Sequence, residues 1–234
     1  MDRLTRKALK KDNFAQEVGH TVEFLEHHRK QFIRYGIAAA ALLVIVAGLF
    51  YYNRRQQAAR QDALRAAMDA MDVPVGPSPA PGVLTFLSPE EKRAAVSKAL
   101  TDLASRYSGS PEGAIAEYYL GTMALSQGRQ DEAIKRLSET ANSGSQEPAS
   151  VAKLALADLY AGQGKTADAE KLLRSLIDKP TVVVPKEEAT IALARLLAPS
   201  KPDEARKLLD PLRSAPGAAG RAAITAYGEL FAGK

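Results

Sequence analysis

The sequence predicts an all-α protein, in which a single N-terminal transmembrane helix is followed by an α-solenoid. Three observations predict this class: alanine supplies 42 of 234 residues, seventeen consecutive residues carry no charge, and a two-helix pattern recurs every 36 residues. Alanine is the strongest helix former, and an aromatic content of 6% is low for a β-sandwich. Because the chain has no cysteine, disulfides, thiol catalysis and cysteine-ligated zinc are excluded.

The net charge of +5 is unevenly distributed along the chain. Residues 1–35 hold eight basic and five acidic residues, and residues 36–52 hold no charge. The remainder holds 24 basic and 22 acidic residues and is therefore nearly neutral. Such a body lacks the basic surface that nucleic-acid binding requires. The basic excess beside an uncharged stretch instead indicates a membrane.

Residues 36–52 (GIAAAALLVIVAGLFYY) would form a helix about 26 Å long, and residues 32–52 are enough to cross the hydrocarbon core. Tyrosines lie at both ends, as in the aromatic belts of membrane proteins. A buried helix of a soluble domain would usually keep a polar face. A cleaved signal peptide would have an unusually long segment before its apolar run, and no clear small-residue cleavage site follows that run. The sequence therefore predicts an uncleaved anchor.

The orientation is predicted from the N-terminal tail, residues 1–31, because the charges that directly flank the span are balanced. We expect a cytoplasmic N-terminus and a periplasmic C-terminal domain in a bacterial inner membrane. Asn13 and Gln16 predict the start of an amphipathic helix, whose apolar residues are Phe14, Val18, Val22 and Leu25. This helix either binds the bilayer surface or a partner helix, or is a solubilising tail. The three histidines, His20, His27 and His28, complete no metal site.

Residues 53–88 are predicted to extend the helix outward and then to form a loop. The loop, residues 73–87, holds four prolines and two glycines. Ser88 is predicted to cap the next helix, with Pro89 in its first position and Glu91 returning the capping bond. Ser110 and Pro111 repeat the device one helix later.

Residues 89–234 are predicted to form a repeat domain. Its three two-helix units share a leucine followed by a small residue, a turn, and an alanine and a leucine on the second helix. The small residues suit close helix contact, and the turn glycines Gly128 and Gly164 suit a positive φ. A period in this range is typical of α-solenoids. A degenerate unit, residues 54–72 and 89–107, is expected before the three, and a capping helix, residues 218–231, after them. The recurring positions are Leu120, Leu156 and Leu193; Gly121, Ala157 and Ala194; Ala133, Ala169 and Ala205; and Leu137, Leu173 and Leu209.

These residues resemble the tetratricopeptide repeat, and the second unit, with Tyr160 and Gly164, is closest to the family pattern. The first unit has Ala124 in place of the aromatic residue, and in the third unit residues 199–202 (PSKP) replace the turn glycine. The whole layout resembles the YfgM family of ancillary subunits of the SecYEG translocon. That resemblance implies a role beside the translocon, in which exported proteins are passed to periplasmic chaperones. The alternative is a structural scaffold of another envelope complex, in cell division, outer-membrane assembly or respiration.

The sequence has no catalytic constellation, so we expect no enzyme, no cofactor, no metal and no small-molecule substrate. The repeat domain lacks histidine, and no nucleotide-binding glycine motif is present. Residues 162–165 (GQGK) are interpreted as a helix C-cap rather than a phosphate loop. Residues 182–184 (VVV) are interpreted as an extended linker between repeats, with pairing to a partner strand as the alternative. The charges on the second helices are interpreted as a solvated face.

Partner binding is expected on the concave surface that the first helices form. A mixed apolar groove suits a helix or an extended apolar segment of another protein. Repeat domains that clamp a terminal carboxylate resemble one another in a Lys/Asn set, and this chain has other residues there. Some of the predicted side chains would instead pack between repeats. The predicted groove residues are Tyr118, Thr122, Leu125, Val151, Leu154, Asp158, Ile191 and Arg195.

Overall fold

The computed structural model describes residues 3–77, 80, 82 and 84–231, with the side chains of Lys30 and of residues from 33 onward. The chain divides into two compact units, residues 1–58 and 59–234. The described residues form nine α-helices and no strand. The helices are α1 (Arg3–Asp72), α2 (Pro89–Arg106), α3 (Pro111–Ser126), α4 (Gln130–Ala141), α5 (Gln146–Gly162), α6 (Thr166–Asp178), α7 (Lys186–Leu197), α8 (Pro202–Arg213) and α9 (Gly217–Phe231).

Helix α1 is continuous from Arg3 to Asp72, so the predicted helix start at Asn13 is wrong. The ten residues before Asn13 are mostly leucine, alanine, lysine and arginine, which are strong helix formers. A capping pair inside such a sequence does not by itself begin a helix. The same helix continues through residues 53–72. The predicted apolar face of the tail and the three histidines lie outside the described side chains.

The described apolar side chains of α1 are exposed rather than packed against other parts of the chain. The large apolar side chains from Ile33 to Tyr52 are between 50% and 72% exposed. Within the described residues, one helical stretch, Ile33–Asp72, is long and apolar enough to cross a membrane, with a window of mean hydropathy 2.1. A helix that is apolar on every side requires an apolar environment. A membrane span and a signal sequence both meet this description.

The loop between α1 and α2 is closed by a short backbone bridge between Val75 and Phe86. Ser88 then caps α2, since its Oγ accepts the Glu91 N–H at 3.1 Å. The carboxylate of Glu91 accepts the N–H of Leu87 at 2.8 Å. The return bond therefore goes to the residue before the cap, rather than to the cap itself as the capping box predicted.

Helices α3 and α4, α5 and α6, and α7 and α8 form the three predicted pairs. In the first pair, a Cβ at Gly121 would lie 2.9 Å from Cγ of the fully buried Leu137. Gly121 therefore permits the close approach that the sequence predicted. Gly128 and Gly164 have φ values of 75° and 73° and end α3 and α5 with the same hydrogen-bond pattern. These helix ends are Schellman motifs.

The helices that flank the three pairs also pack against them. Ala67, near the end of α1, is 1% exposed and belongs to a buried cluster with Val96 and Leu100 of α2 and Leu120 of α3. At the other end, α9 packs against α7 and α8. The end of α1 and α2 thus pack before the three pairs, and α9 packs after them.

The segment between α6 and α7 is a tight turn, so its interpretation as an extended linker is wrong. The Thr181 N–H donates to the Val184 carbonyl at 3.0 Å, and the Val184 N–H donates to Thr181 Oγ1 at 3.0 Å. Threonine hydroxyls form such local bonds readily and compete with extended structure. The turn also buries Val184, which is 1% exposed.

Candidate functional site

Four of the eight predicted groove residues lie around one cavity. Leu154 and Asp158 come from α5, and Ile191 and Arg195 come from α7. The cavity has a volume of about 840 Å³ and is partly open to solvent. Its size is within the range of pockets that bind ligands, about 300–1,000 Å³.

The cavity lies where the spacing of the first helices widens. Helix α3 packs directly against α5 and α7 against α9, whereas α5 and α7 make much less backbone contact. Residues 142–145 join α4 to α5, but the longer segment 179–185 joins α6 to α7. The extra residues form the turn that buries Val184 and lead to Pro185, which lines the cavity. The longer connection therefore accompanies an opening between two repeats.

Most of the cavity wall is apolar, and six of its fifteen residues are alanines. Helix α9 supplies part of this wall, which sequence reasoning missed because α9 was interpreted as a cap alone. Because α9 follows the third helix pair, it occupies the position that the first helix of a fourth pair would take. Extending the repeat pattern into α9 would therefore have found these residues. The alanines of the wall are Ala157 and Ala161 of α5, Ala192 of α7, and Ala218, Ala219 and Ala222 of α9.

Carboxylates dominate the charged part of the cavity lining. Glu187 and Glu188, in the first turn of α7, join Asp158, and sequence reasoning missed both. Arg195 is the single basic residue of the lining, and its Nη2 lies 3.2 Å from Glu229 Oε2 on α9. Desolvation raises the pKa of Asp158, and the nearby charge of Arg195 opposes that shift.

The other four predicted residues lie away from this cavity. Tyr118 packs against a cluster around Leu137 with its ring edge-on to Tyr119, and burial raises its pKa. The hydroxyl of Thr122 donates to the Tyr119 carbonyl at 2.9 Å. Val151 packs against the core of the last repeats. Leu125 lines a smaller cavity of about 400 Å³, which Asp158 also borders. Ile191 itself is 6% exposed, so it is part of the floor rather than the rim.

Comparison with known protein families matches residues 29–182 to the model of a tetratricopeptide repeat-like domain. The match covers about two thirds of the chain, including the whole apolar segment and the first two repeat pairs. The chain belongs to this tetratricopeptide repeat-like family. No curated protein and no solved structure matches the chain.

The charges on the second helices of these tetratricopeptide-like repeats are ion pairs rather than a purely solvated face. Arg136 on α4 reaches back to Glu117 on α3 at 2.8 Å. Arg174 on α6 bridges Glu170 of its own helix at 2.7 Å and Glu204 of α8 at 2.8 Å. The second bridge joins neighbouring repeats, so these charges help to set the stacking.

The lining of the cavity combines an apolar wall with a few charged side chains. Among the described residues, no cluster of three or more His, Asp or Glu side chains is placed to hold a metal ion. Gly164 and its neighbours form a helix C-cap, as predicted for residues 162–165. An apolar cavity with a few charged groups at its mouth is typical of sites that bind part of another molecule.

Proposed function

We propose that the protein is a membrane-anchored module for protein–protein interaction, in which the α5–α7–α9 cavity binds a segment of the partner. The observation that carries this proposal is the apolar cavity between first helices of successive repeats. The eight groove residues predicted from the sequence contribute four side chains to it. Tetratricopeptide-like repeats expose such surfaces because each unit buries its apolar residues only against its neighbours.

The apolar part of α1 is the proposed anchor. Its side chains are exposed over a length sufficient to cross a bilayer, and the family match begins before it, at residue 29. These features support a span that belongs to the same functional unit as the repeats. The proposed topology places residues 1–31 in the cytoplasm and residues 53–234 in the periplasm of a bacterial inner membrane.

Two measurements test the anchor. Alkaline phosphatase fused after Lys234 is expected to be active in cells, because the enzyme matures only outside the cytoplasm. An inactive fusion in cells that contain the full-length product would reverse the orientation. Mass spectrometry of the membrane-bound chain is expected to find residues 1–52 intact, and their loss would identify a cleaved signal sequence instead.

The more specific proposal is an ancillary subunit of the translocon that links exported proteins with periplasmic chaperones. Its support is the tail–span–repeat layout, which resembles that of the YfgM family. Affinity purification of the full chain in mild detergent tests it. Recovery of translocon subunits is expected. Their reproducible absence would contradict the proposal, and recovery of cell-division, outer-membrane assembly or respiratory subunits would favour a scaffold of another envelope complex.

A variant can link the recovered partner to the cavity. Ala161 is exposed on α5 and lines the cavity, so Ala161→Trp would fill part of the space without disturbing the core. Ala94 is exposed on α2, away from the cavity, and Ala94→Trp is the matched control. We expect Ala161→Trp to reduce recovery of the partner and Ala94→Trp to leave it unchanged. Equal recovery with both variants would place the interaction elsewhere on the chain.

A further inference from the structure

The mouth of the α5–α7–α9 cavity is acidic, although the chain after the apolar segment is nearly neutral. Three carboxylates, from Asp158, Glu187 and Glu188, line it beside one guanidinium, that of Arg195. The Arg195 charge is itself paired with Glu229 at 3.2 Å. The negative charge of the three lining carboxylates is therefore largely uncompensated.

Asp158 is the most informative of the three. Glu187 and Glu188 lie in the first turn of α7, where carboxylates favour the helix dipole. Asp158 lies inside α5 and gains no such stabilisation. Within the described part of the chain, its carboxylate has no hydrogen bond or ion pair, and Arg195 acts on it only at longer range. Asp158 is exposed to solvent, so a cation on a bound segment can reach this carboxylate and supply the partner that it lacks within the described residues.

We propose that the cavity binds an apolar helical segment of a partner protein that carries lysine or arginine beside its apolar face. The apolar side chains contact Leu154, Ile191 and the alanines of α9, and the basic side chain meets the carboxylates at the mouth. This inference rests on the proposed function and adds the charge of the partner to it.

The dimensions of the cavity suit this occupant. A helix 10–12 Å in diameter that rises 1.5 Å per residue occupies about 140 Å³ per residue, so about 840 Å³ accommodates about six residues. The alanine side chains on α5 and α9 let a helix approach closely. An acidic peptide would meet like charges, and an uncharged one would desolvate Asp158 without replacing its lost hydration.

A peptide series tests the charge requirement directly. The full chain is placed in nanodiscs of zwitterionic phosphatidylcholine, so that lipid charge does not attract the peptide. Three labelled peptides share one leucine- and alanine-rich helical core and carry lysine, glutamine or glutamate beside it. Fluorescence anisotropy measures binding, and nanodiscs without protein correct for binding to lipid.

We expect the lysine peptide to bind about tenfold more tightly than the glutamate peptide, with the preference falling as salt is added. Asp158→Asn should weaken binding of the lysine peptide about fivefold. The variant should bind the glutamine peptide at least as tightly as the wild type does. Asp158→Lys should remove most of the preference for the lysine peptide, because the added cation offsets the charge of Glu187 and Glu188. Asp102 is exposed in the interior of α2, away from the cavity, so Asp102→Asn is the matched control and should change nothing.

The outcomes separate this inference from the proposed function. Equal binding of all three peptides, abolished by Ala161→Trp, would preserve a peptide-binding cavity and overturn the charge requirement. Binding of none would contradict both. A dimer of the chain that Asp158→Lys dissociates would mean that a second copy fills the cavity, which would also overturn the proposal. The comparison of the three peptides on the wild-type chain tests the charge requirement even if an Asp158 variant does not fold.

Discussion

The contact between Gly121 and Leu137 predicts a reversal in the effect of one substitution. In the wild-type protein, a Cβ at position 121 would lie 2.9 Å from Leu137 Cγ and 3.4 Å from Arg136 Cβ. Leu137 is fully buried, so it has little room to move. Gly121→Ala would gain about 1 kcal/mol of helix propensity but would overpack the contact at a cost of about 1–3 kcal/mol. We expect a net destabilisation of about 1 kcal/mol.

Leu137→Ala removes the side chain that the new Cβ would meet. Alone, this substitution should destabilise the protein by about 3–4 kcal/mol, because it leaves a cavity among Ala141, Ala152 and Leu156. In that background Gly121→Ala meets no overlap and keeps its helix propensity, so it should stabilise by about 1 kcal/mol. The two substitutions should therefore be coupled by about 2 kcal/mol.

Urea unfolding of the full chain in detergent measures the stability of the four proteins in this cycle. Far-ultraviolet circular dichroism follows the loss of helix. The midpoint of Gly121→Ala should fall below that of the wild type, and the midpoint of the double variant should lie above that of Leu137→Ala. Additive effects would refute the close contact. A stabilisation by Gly121→Ala in both backgrounds would mean that the helix pair is looser than the structure describes.

Three further predictions concern the turns, the caps and the ion pairs of the repeats. Gly164→Ala should destabilise by about 1 kcal/mol because Gly164 has a φ of 73°, whereas Gly162→Ala, at a residue without a positive φ, should not destabilise; thermal unfolding compares them. Ser110→Ala should cost about 1 kcal/mol in the same assay, since the Ser110 hydroxyl caps α3, and an unchanged melting temperature would contradict that role. Hydrogen bonds from Arg174, and then from Lys201, hold the pKa of Glu170 below its ordinary value. The ionised carboxylate therefore adds to the free energy of unfolding. This contribution is complete above about pH 5 and is lost as the pH falls through the lowered pKa. Replacing Arg174 with methionine should therefore reduce the loss of stability on acidification, and an identical acid profile would exclude the pair as a cause.

The helix pairs were predictable because their signals are local and repeated. The glycines at 128 and 164 and the small residue at 121 each have one physical role, and the 36-residue period places those roles in register. The start of α1 was not predictable from Asn13, because the surrounding helix formers outweigh one capping pair. The turn at Thr181 was missed because three valines favour extended structure locally, whereas the structure buries Val184 and bonds Thr181 to it.

The candidate site was predictable only in part. The repeat pattern identified which faces of α5 and α7 lie on the same side of the array, so Leu154, Asp158 and Arg195 were found. It gave no measure of the distance between successive first helices, which depends on the longer connection to α7. The same pattern placed Tyr118 and Thr122 on the α3 face, but α3 packs directly against α5 and leaves no comparable space. The ion pair from Arg174 to Glu204 joins residues of different repeats, and spacing within one helix does not reveal it.

Photo-crosslinking in living cells tests most directly whether this cavity is where the anchored protein holds its partner. A photoreactive phenylalanine is placed at Ala222, which lines the cavity, and at Lys98, which is exposed on α2. We expect a crosslink to another envelope protein from position 222 and none to that protein from position 98. Equal crosslinking from both positions, or none from position 222 while the same protein still co-purifies, would contradict it.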